Sequence, residues 1–389
     1  MFSLAKRRVR CAERHSFAAV SVPEGRRDAP WVARPREAVD ASRGLDASRS
    51  YGSGTCGLGY ALTGSSGCPD RCGTCMMGWL CLAAESCPGE GSSMSADATV
   101  HIPVLAQEVL TALQVQPGDV VVDGTLGGGG HTRLLAERVG PNGCVVAVDR
   151  DPAAIARAEL SLAGLPVKVA QSNFCELPEV LDEAGYGHVQ GMLLDLGLSS
   201  DQLADRERGF SFDSDGPLDM RFDPERGEPA WKLLARMRVE SLADLIFEYG
   251  EERFSRRVAR AIVERRGHDP IHTARQLAEV VRSCVPIAPH HRIDPATRTF
   301  QALRIAVNHE LTSLEHALRR LPDRLAVGGR LAIISFHSLE DRRVKVAFRE
   351  DPRLNALNRK PICATDEEIA RNPRSGSARL RVAERVAEE

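Results

Sequence analysis

The chain has no run of about 18 or more apolar residues, the length a helix needs to cross a bilayer, so the sequence predicts no membrane span. Aromatic residues are scarce, at 5% of positions, and the formal charge is only −2. A balance so near zero does not announce a polynucleotide partner, so any basic face must be local. Cysteine is sparse where a disulfide framework would need it. Of eleven cysteines, seven (Cys11, Cys56, Cys68, Cys72, Cys75, Cys81 and Cys87) precede Met94, and only Cys144, Cys175, Cys284 and Cys363 follow. Those four are scattered without ligand spacing, which predicts a reduced, cytoplasmic body with no resident metal.

Residues 1–93 lack a different thing, namely apolar periodicity at either 3.6 or 2.0 residues. They are rich in Arg, Gly, Ser and Cys, and stretches such as Gly64-Ser65-Ser66-Gly67 read as flexible coil. Lys6-Arg7-Arg8-Val9-Arg10 is not followed by the apolar core of a targeting segment. Cys68, Cys72 and Cys75 stand in the C-x3-C-x2-C spacing that holds a four-iron cluster in radical enzymes. Such a site needs a barrel of repeated βα units behind it, and the chain that follows reads otherwise. The expectation for 1–93 is a disordered extension, or a reading frame begun too early with Met94 the true start.

From His101 onward the signals are dense. Val104–Leu113 carries apolar residues at helical spacing, and Val120-Val121-Val122-Asp123 reads as a buried parallel strand. It runs into Gly124-Thr125-Leu126-Gly127-Gly128-Gly129-Gly130-His131, with a helix expected over Thr132–Val139. Glycines between a strand and a helix let backbone N–H groups approach a ligand closely. A tight turn would explain the cluster equally well if it stood alone. The second strand, Cys144–Val148, ends in Asp149, 26 residues after Asp123. An acid at that place accepts hydrogen bonds from ribose hydroxyls. A third strand, Val167–Ala170, leads to Phe174, an aromatic suited to an adenine face, and a fourth, Met192–Leu194, ends in Asp195. All of these candidates sit at carboxyl ends of strands, where open α/β sheets bind ligands. The pattern leaves NAD and S-adenosylmethionine (SAM) both open, and the missing G-x-G-x-x-G favours SAM.

Several longer strings are more specific. Asp195-Leu196-Gly197-Leu198-Ser199-Ser200-Asp201-Gln202-Leu203, Arg208-Gly209-Phe210-Ser211-Phe212, Gly216-Pro217-Leu218-Asp219-Met220-Arg221, Ala296–Ile305, Ser335–Arg342 and Asn372-Pro373-Arg374-Ser375 closely resemble the RsmH (MraW) family. The resemblance covers about His101 to the end. It implies a class I SAM-dependent methyltransferase, an α/β fold with a Rossmann-like, mostly parallel sheet and an inserted all-helical domain. It implies methylation of the exocyclic N4 amine of one cytidine in the decoding region of small-subunit ribosomal RNA, within an assembled small subunit, and leaves a homodimer open. By match to the family pattern, SAM contacts fall on Gly129, Gly130, His131, Asp149, Phe174, Asp195 and Gln202. Of these, His131 and Gln202 come from the resemblance alone. Two features depart from the family pattern, the long amino-terminal extension and a short stretch between Phe348 and Lys360.

A cytosine amine is a weak nucleophile, so a catalyst must hold it in line with the methyl and accept hydrogen bonds from its protons. Asp195 is the expected acceptor, with a SAM-binding or structural carboxylate as the alternative. His337, after a strand at Leu331–Ser335, either meets RNA or packs under a loop. For RNA phosphates the candidates are Arg253, Arg257 and Arg260 on one helix face, with Arg292, Arg298, Arg304, Arg342, Arg343 and Lys345. A solvated face with Glu partners explains the first three equally well. The expected organisation is a first core part at 94–205, a helical substrate-recognition insert at 206–298, and a second core part at 299–389. Within it, helices are expected at Trp231–Arg236, Val239–Tyr249, Arg253–Arg266 and Thr273–Ser283, one long helix at Phe300–Leu321, and a last antiparallel strand at Arg379–Val386. The rivals are a methyltransferase of another nucleic acid, a dinucleotide oxidoreductase and a non-catalytic assembly factor.

Overall fold

The computed structural model describes residues 102–286 and 294–387. The extension 1–93 with its Cys68, Cys72 and Cys75, the start at Met94, and Arg292 all lie outside the described residues.

Seven strands form one sheet: β1 Val120–Asp123, β2 Cys144–Asp149, β3 Val167–Gln171, β4 Val189–Asp195, β5 Leu325–Ser335, β6 Leu354–Ala356 and β7 Arg379–Arg385. Their spatial order is β3-β2-β1-β4-β5-β7-β6. The first five run parallel, and β7 is antiparallel to both β5 and β6. The expected last strand is therefore present, and the short β6, which its three residues hide from pattern reading, covers its outer edge. Val121, Val122, Val145, Val146, Met192, Leu193 and Leu194 are buried, as continuous apolar strands between two helical layers must be. β5 starts earlier than Leu331. Its Gly328-Gly329 pair lies inside the strand and absorbs a bulge, where Val189 faces Leu325 but Gly191 already faces Arg330.

Among the described residues the helices are α1 Ala106–Leu113, α2 Gly130–Val139, α3 Pro152–Ser161, α4 Leu177–Ala184, α5 Ser200–Ala204, α6 Ala230–Arg236, α7 Val239–Gly250, α8 Ser255–His268, α9 Ala274–Cys284, α10 Thr297–Asn308, α11 Glu310–Arg320, α12 Ser338–Glu350 and α13 Asp366–Arg371. The buried residues of α6–α9, among them Leu234, Ile246, Ile262 and Leu277, form a core of their own together with Phe210, Leu218 and Met220. None of these helices is long and apolar enough to cross a membrane.

Two expectations need correction. The single helix Phe300–Leu321 is two helices, broken at His309, which takes a left-handed backbone at φ 53°. The apolar period runs on through the break, so pattern alone cannot see it. α10 buries Phe300 and Leu303 in the core of α6–α9, whereas α11 buries Leu314, Ala317 and Leu318 against the sheet. One straight rod could not face both. Asn308 fastens the corner, with Nδ2 donating to Met220 O at 2.7 Å and Oδ1 accepting from Phe222 N at 2.7 Å. Arg253 is not helical either: α8 begins at Ser255, and Arg253 instead lies over the Phe254 ring at 4.6 Å.

A candidate active site at the strand tips

The carboxyl ends of β1, β2 and β4 open onto one cavity. It is lined by the loop after β1, by His131, Asp149, Phe174, Asp195–Ser199 and Gln202, and on its far side by Glu310, Glu340 and Arg374. The loop owes its shape to Asp123, a fully buried acid at the end of β1. Its carboxylate accepts from Thr132 Oγ1 at 2.6 Å and from Thr125 N at 3.1 Å, tying the start of the loop to the first turn of α2. Burial pushes the Asp123 carboxyl up to about 6, against the opposing pull of those hydrogen bonds. Gly129, at φ 77°, caps α2 in a backbone region that other residues enter only at a cost. It sits behind the lining and faces Leu162, while Gly130 lines the cavity with its α-carbon against Pro103.

Asp149 organises the opposite rim. One carboxylate oxygen accepts from Gly127 N at 2.8 Å and the other from Asp151 N at 2.9 Å. Burial raises its pKa above the usual carboxylate value despite these bonds. Gln202, near the start of α5, is held through both ends of its amide. Its Oε1 accepts from Ser199 N, and its Nε2 donates to Asp151 Oδ2 at 3.1 Å. Arg208 Nη1 reaches the same Asp151 oxygen at 3.1 Å, so Asp151 joins α3, α5 and the segment before α6.

Asp195 stands at the tip of β4 with its backbone N–H donating to Thr125 Oγ1 at 2.6 Å. One side-chain oxygen lies 3.7 Å from His131 Nε2, and the other, Oδ1, is buried without a hydrogen-bond partner. Burial first, then the charges of Asp123 and Glu340, push its pKa up to about 7, partly offset by Arg374. A buried carboxylate with a free oxygen and a near-neutral pKa is suited to receiving a proton at physiological pH.

Beyond Asp195 the wall is a charged network. Arg304 donates to both Glu310 oxygens at 2.8 and 2.9 Å. Glu340 accepts from Phe336 N at 3.0 Å and lies 3.1 Å from His337 Nε2. Burial alone would raise the Glu340 carboxyl, but His337 and Arg304 hold it below the usual value. Glu310, His337 and Glu340 bring donor atoms within 4.8 Å of one another. Arg304 already meets the charge of Glu310 there. Arg374, from the segment after α13, donates to Leu198 O and Ser200 Oγ and so pins the loop that follows Asp195.

The arginines expected on RNA differ in their surroundings. Arg257 and Arg260 are exposed on α8. Arg298 bonds Glu251 O at 3.2 Å, and Arg342 meets the Glu251 carboxylate at 3.3 Å. Arg304 is withdrawn from the surface altogether, with a side chain only 14% exposed. Its sequence neighbours do not show this, because its partner lies across the break at His309. Sequence reading also assigned no role to Asp123, Asp151, Glu310, Glu340 or Arg374. Arg374 and Glu340 sit within quoted motifs and Asp123 at a strand tip, which were the available signals. Asp151 and Glu310 offered none.

A parallel sheet ordered β3-β2-β1-β4-β5, completed by an antiparallel strand inserted beside β5, with a glycine loop after β1 and acids at the tips of β2 and β4, defines a class I methyltransferase. Its methyl donor is S-adenosylmethionine, and the residues fit that group. The glycine loop leaves room beside Asp149 and Phe174 for a nucleoside, and Asp195, with one unpartnered oxygen, lines the same cavity. The chain belongs to the MraW methylase family, whose model matches residues 98–386. It is 49% identical over 303 residues to the ribosomal RNA small subunit methyltransferase H of Rhodopirellula baltica, covering 75% of this chain and 93% of that one. It is 50% identical over 289 residues to the protein of that name from a Cyanothece species, covering 74% and 95%. The one from Trichlorobacter lovleyi is 47% identical over 307 residues, covering 74% and 98%.

Proposed function

We propose that this methyltransferase modifies small-subunit ribosomal RNA, at the exocyclic N4 amine of a single cytidine in the decoding region, within an assembled subunit. The relatives, named for small-subunit ribosomal RNA alone, align over nearly their whole length. The observation that carries the chemistry is Asp195, a largely buried carboxylate at the strand tip that lines the cofactor cavity and has one unpartnered oxygen.

Bound S-adenosylmethionine supplies an electrophilic methyl group on a sulfonium. The protein's part is to make a delocalised amine act as a nucleophile. Asp195 accepts a hydrogen bond from an amine proton, which favours the tetrahedral nitrogen that attacks in line. On transfer of that methyl, the amine's excess proton would pass to the Asp195 carboxylate. Asp149 and Phe174 would hold the donor's nucleoside, and Gly130 and His131 would line the rest of its site. The helical insert at 206–298 and the exposed Arg257 and Arg260 serve RNA recognition.

The test is methyl transfer from labelled S-adenosylmethionine to unmodified small subunits, with the product nucleoside identified by mass spectrometry. N4-methylcytidine at one site supports the reading. Transfer to another nucleoside or another nucleic acid keeps the methyltransferase and replaces the substrate.

A further inference from the structure

Next to the cofactor cavity lies a second cavity of about 210 Å³ that no step above uses. Four phenylalanines line it, Phe210, Phe212, Phe300 and Phe336, together with Arg304 and His337. Phe212 and Phe300 meet edge to face with ring centroids 4.8 Å apart. In a chain with so few aromatics, this is a concentrated set, drawn from three separate stretches of sequence. Leu198 lines both cavities, and Gly197, on the cofactor side, backs onto Phe336 with room for only an ordinary contact. The two spaces are thus neighbours across the loop that follows Asp195.

The polar edge of the second cavity is unusual in one respect. His337 is nine-tenths buried, and neither ring nitrogen makes a well-formed hydrogen bond. Its Nε2 lies 3.1 Å from Glu340 Oε1, a contact that is close but poorly aligned. In the neutral ring, a carboxylate beside Nε2 keeps the proton on that nitrogen, which leaves Nδ1 as a lone-pair acceptor. A buried acceptor without a donor is costly unless a ligand supplies one.

We propose that this aromatic cavity receives the extruded pyrimidine of the RNA substrate, with His337 Nδ1 accepting a hydrogen bond from its exocyclic amine. The inference rests on the rRNA-methylation reading and names the place where that reading's base is bound. A flat ring with an apolar face and a polar edge matches phenylalanine walls closed by a histidine and an arginine. Base-modifying enzymes take their target out of the stack into such a pocket. An amine donates to Nδ1, whereas the keto oxygen of uracil would set acceptor against acceptor, so the same contact selects cytosine. Asp195 and His337 then approach the amine from the cofactor side and the base side.

The experiment uses the full chain, labelled S-adenosylmethionine and unmodified small ribosomal subunits. His337→Leu should lower kcat about 100-fold with S-adenosylmethionine affinity unchanged within twofold by calorimetry. His337→Asn, which keeps a short acceptor, should recover at least a tenth of the wild-type rate. A purely structural histidine would show no such split between the two variants. Full activity in His337→Leu, or equal loss in both variants, overturns the proposal. Because the variants test folding as well, wild-type protein is also irradiated with reconstituted subunits carrying 5-iodocytidine at the methylated position. A cross-link to Phe210, Phe212, Phe300 or Phe336 supports the pocket, and a cross-link elsewhere or none overturns it. If the wild type methylates no cytidine in the subunit, the functional reading has failed, a result distinct from either of these.

Discussion

The donor side and the acceptor side of the site are built differently. The donor side is short-range: the loop after β1, Asp149 after β2 and Phe174 after β3 all follow their strands directly. Its cohesion comes from backbone N–H groups on buried carboxylates, as with Gly127 on Asp149 and Thr125 on Asp123. The acceptor side is assembled from the loop after β4, the segment before α6, α10, the start of α12 and the stretch after α13. It is held by side-chain pairs that span long sequence distances, such as Arg374 on Leu198 and Asn308 on Met220. A donor site that binds one fixed ligand can be written into a contiguous motif. An acceptor site that admits part of a macromolecule needs walls from several elements.

Breaking the acceptor side at its centre should have the largest effect. Asp195→Ala should lower kcat by about 10³-fold, near 4 kcal/mol of transition-state stabilisation, while S-adenosylmethionine affinity changes only a few-fold, as read by steady-state kinetics and calorimetry. Full turnover with intact cofactor binding would remove Asp195 from the chemistry. The same residue predicts a pH profile. Its carboxyl titrates at about 7 in the folded protein, and only the ionised form accepts from the amine, so kcat/KM should fall as pH drops below about 7. An activity that stays flat from pH 8 to 5.5 would contradict this.

Asp195 should also trade stability for function. A folded pKa raised from 3.8 to about 7 means that the group favours folding most at low pH, and that this contribution is lost as pH rises through 7. Asp195→Asn should therefore raise Tm at pH 8 and do little at pH 4, with an upper figure of about 4 kcal/mol. Equal Tm changes at both pH values would refute the assignment.

Arg304→Ala tests the wall between the two cavities. It leaves Glu310 buried without its partner and should cost about 3–5 kcal/mol in denaturant unfolding, with Arg304→Lys milder. A cost under about 1 kcal/mol would mean that Glu310 finds water. Smaller still, Gly250→Ala places a Cβ 2.4 Å from Arg298 O where α7 meets α10, so about 1–3 kcal/mol of stability should be lost. The smallest effect belongs to the exposed face: Arg257→Ala with Arg260→Ala should weaken subunit binding mildly and reduce its salt dependence, with kcat unchanged.

The strands that carry the donor side were legible because buried parallel strands are apolar without interruption and glycine marks the turns between strand and helix. Asp149, Phe174 and Asp195 were legible for the same reason, since each ends or follows such a strand. His131 and Gln202 were reached only through resemblance, and the structure places both in the cavity wall. The break at His309 was illegible, because the apolar period continues through it and only the demands of two cores impose the corner. Arg304 was misread as a surface cation because nothing local reveals a partner across that corner.

By itself, then, the sequence determined where the strands lie, the order of strand and loop, and the candidate residues at the strand tips, because apolar runs and the glycines and acids that end them are local features. The tertiary structure alone decided which arginines are exposed, which histidine nitrogen is buried without a donor and which phenylalanines share a cavity. Those properties depend on elements that meet only in the folded chain: Phe212 packs on Phe300 from another stretch of sequence, and Arg304 reaches Glu310 only across the corner at His309.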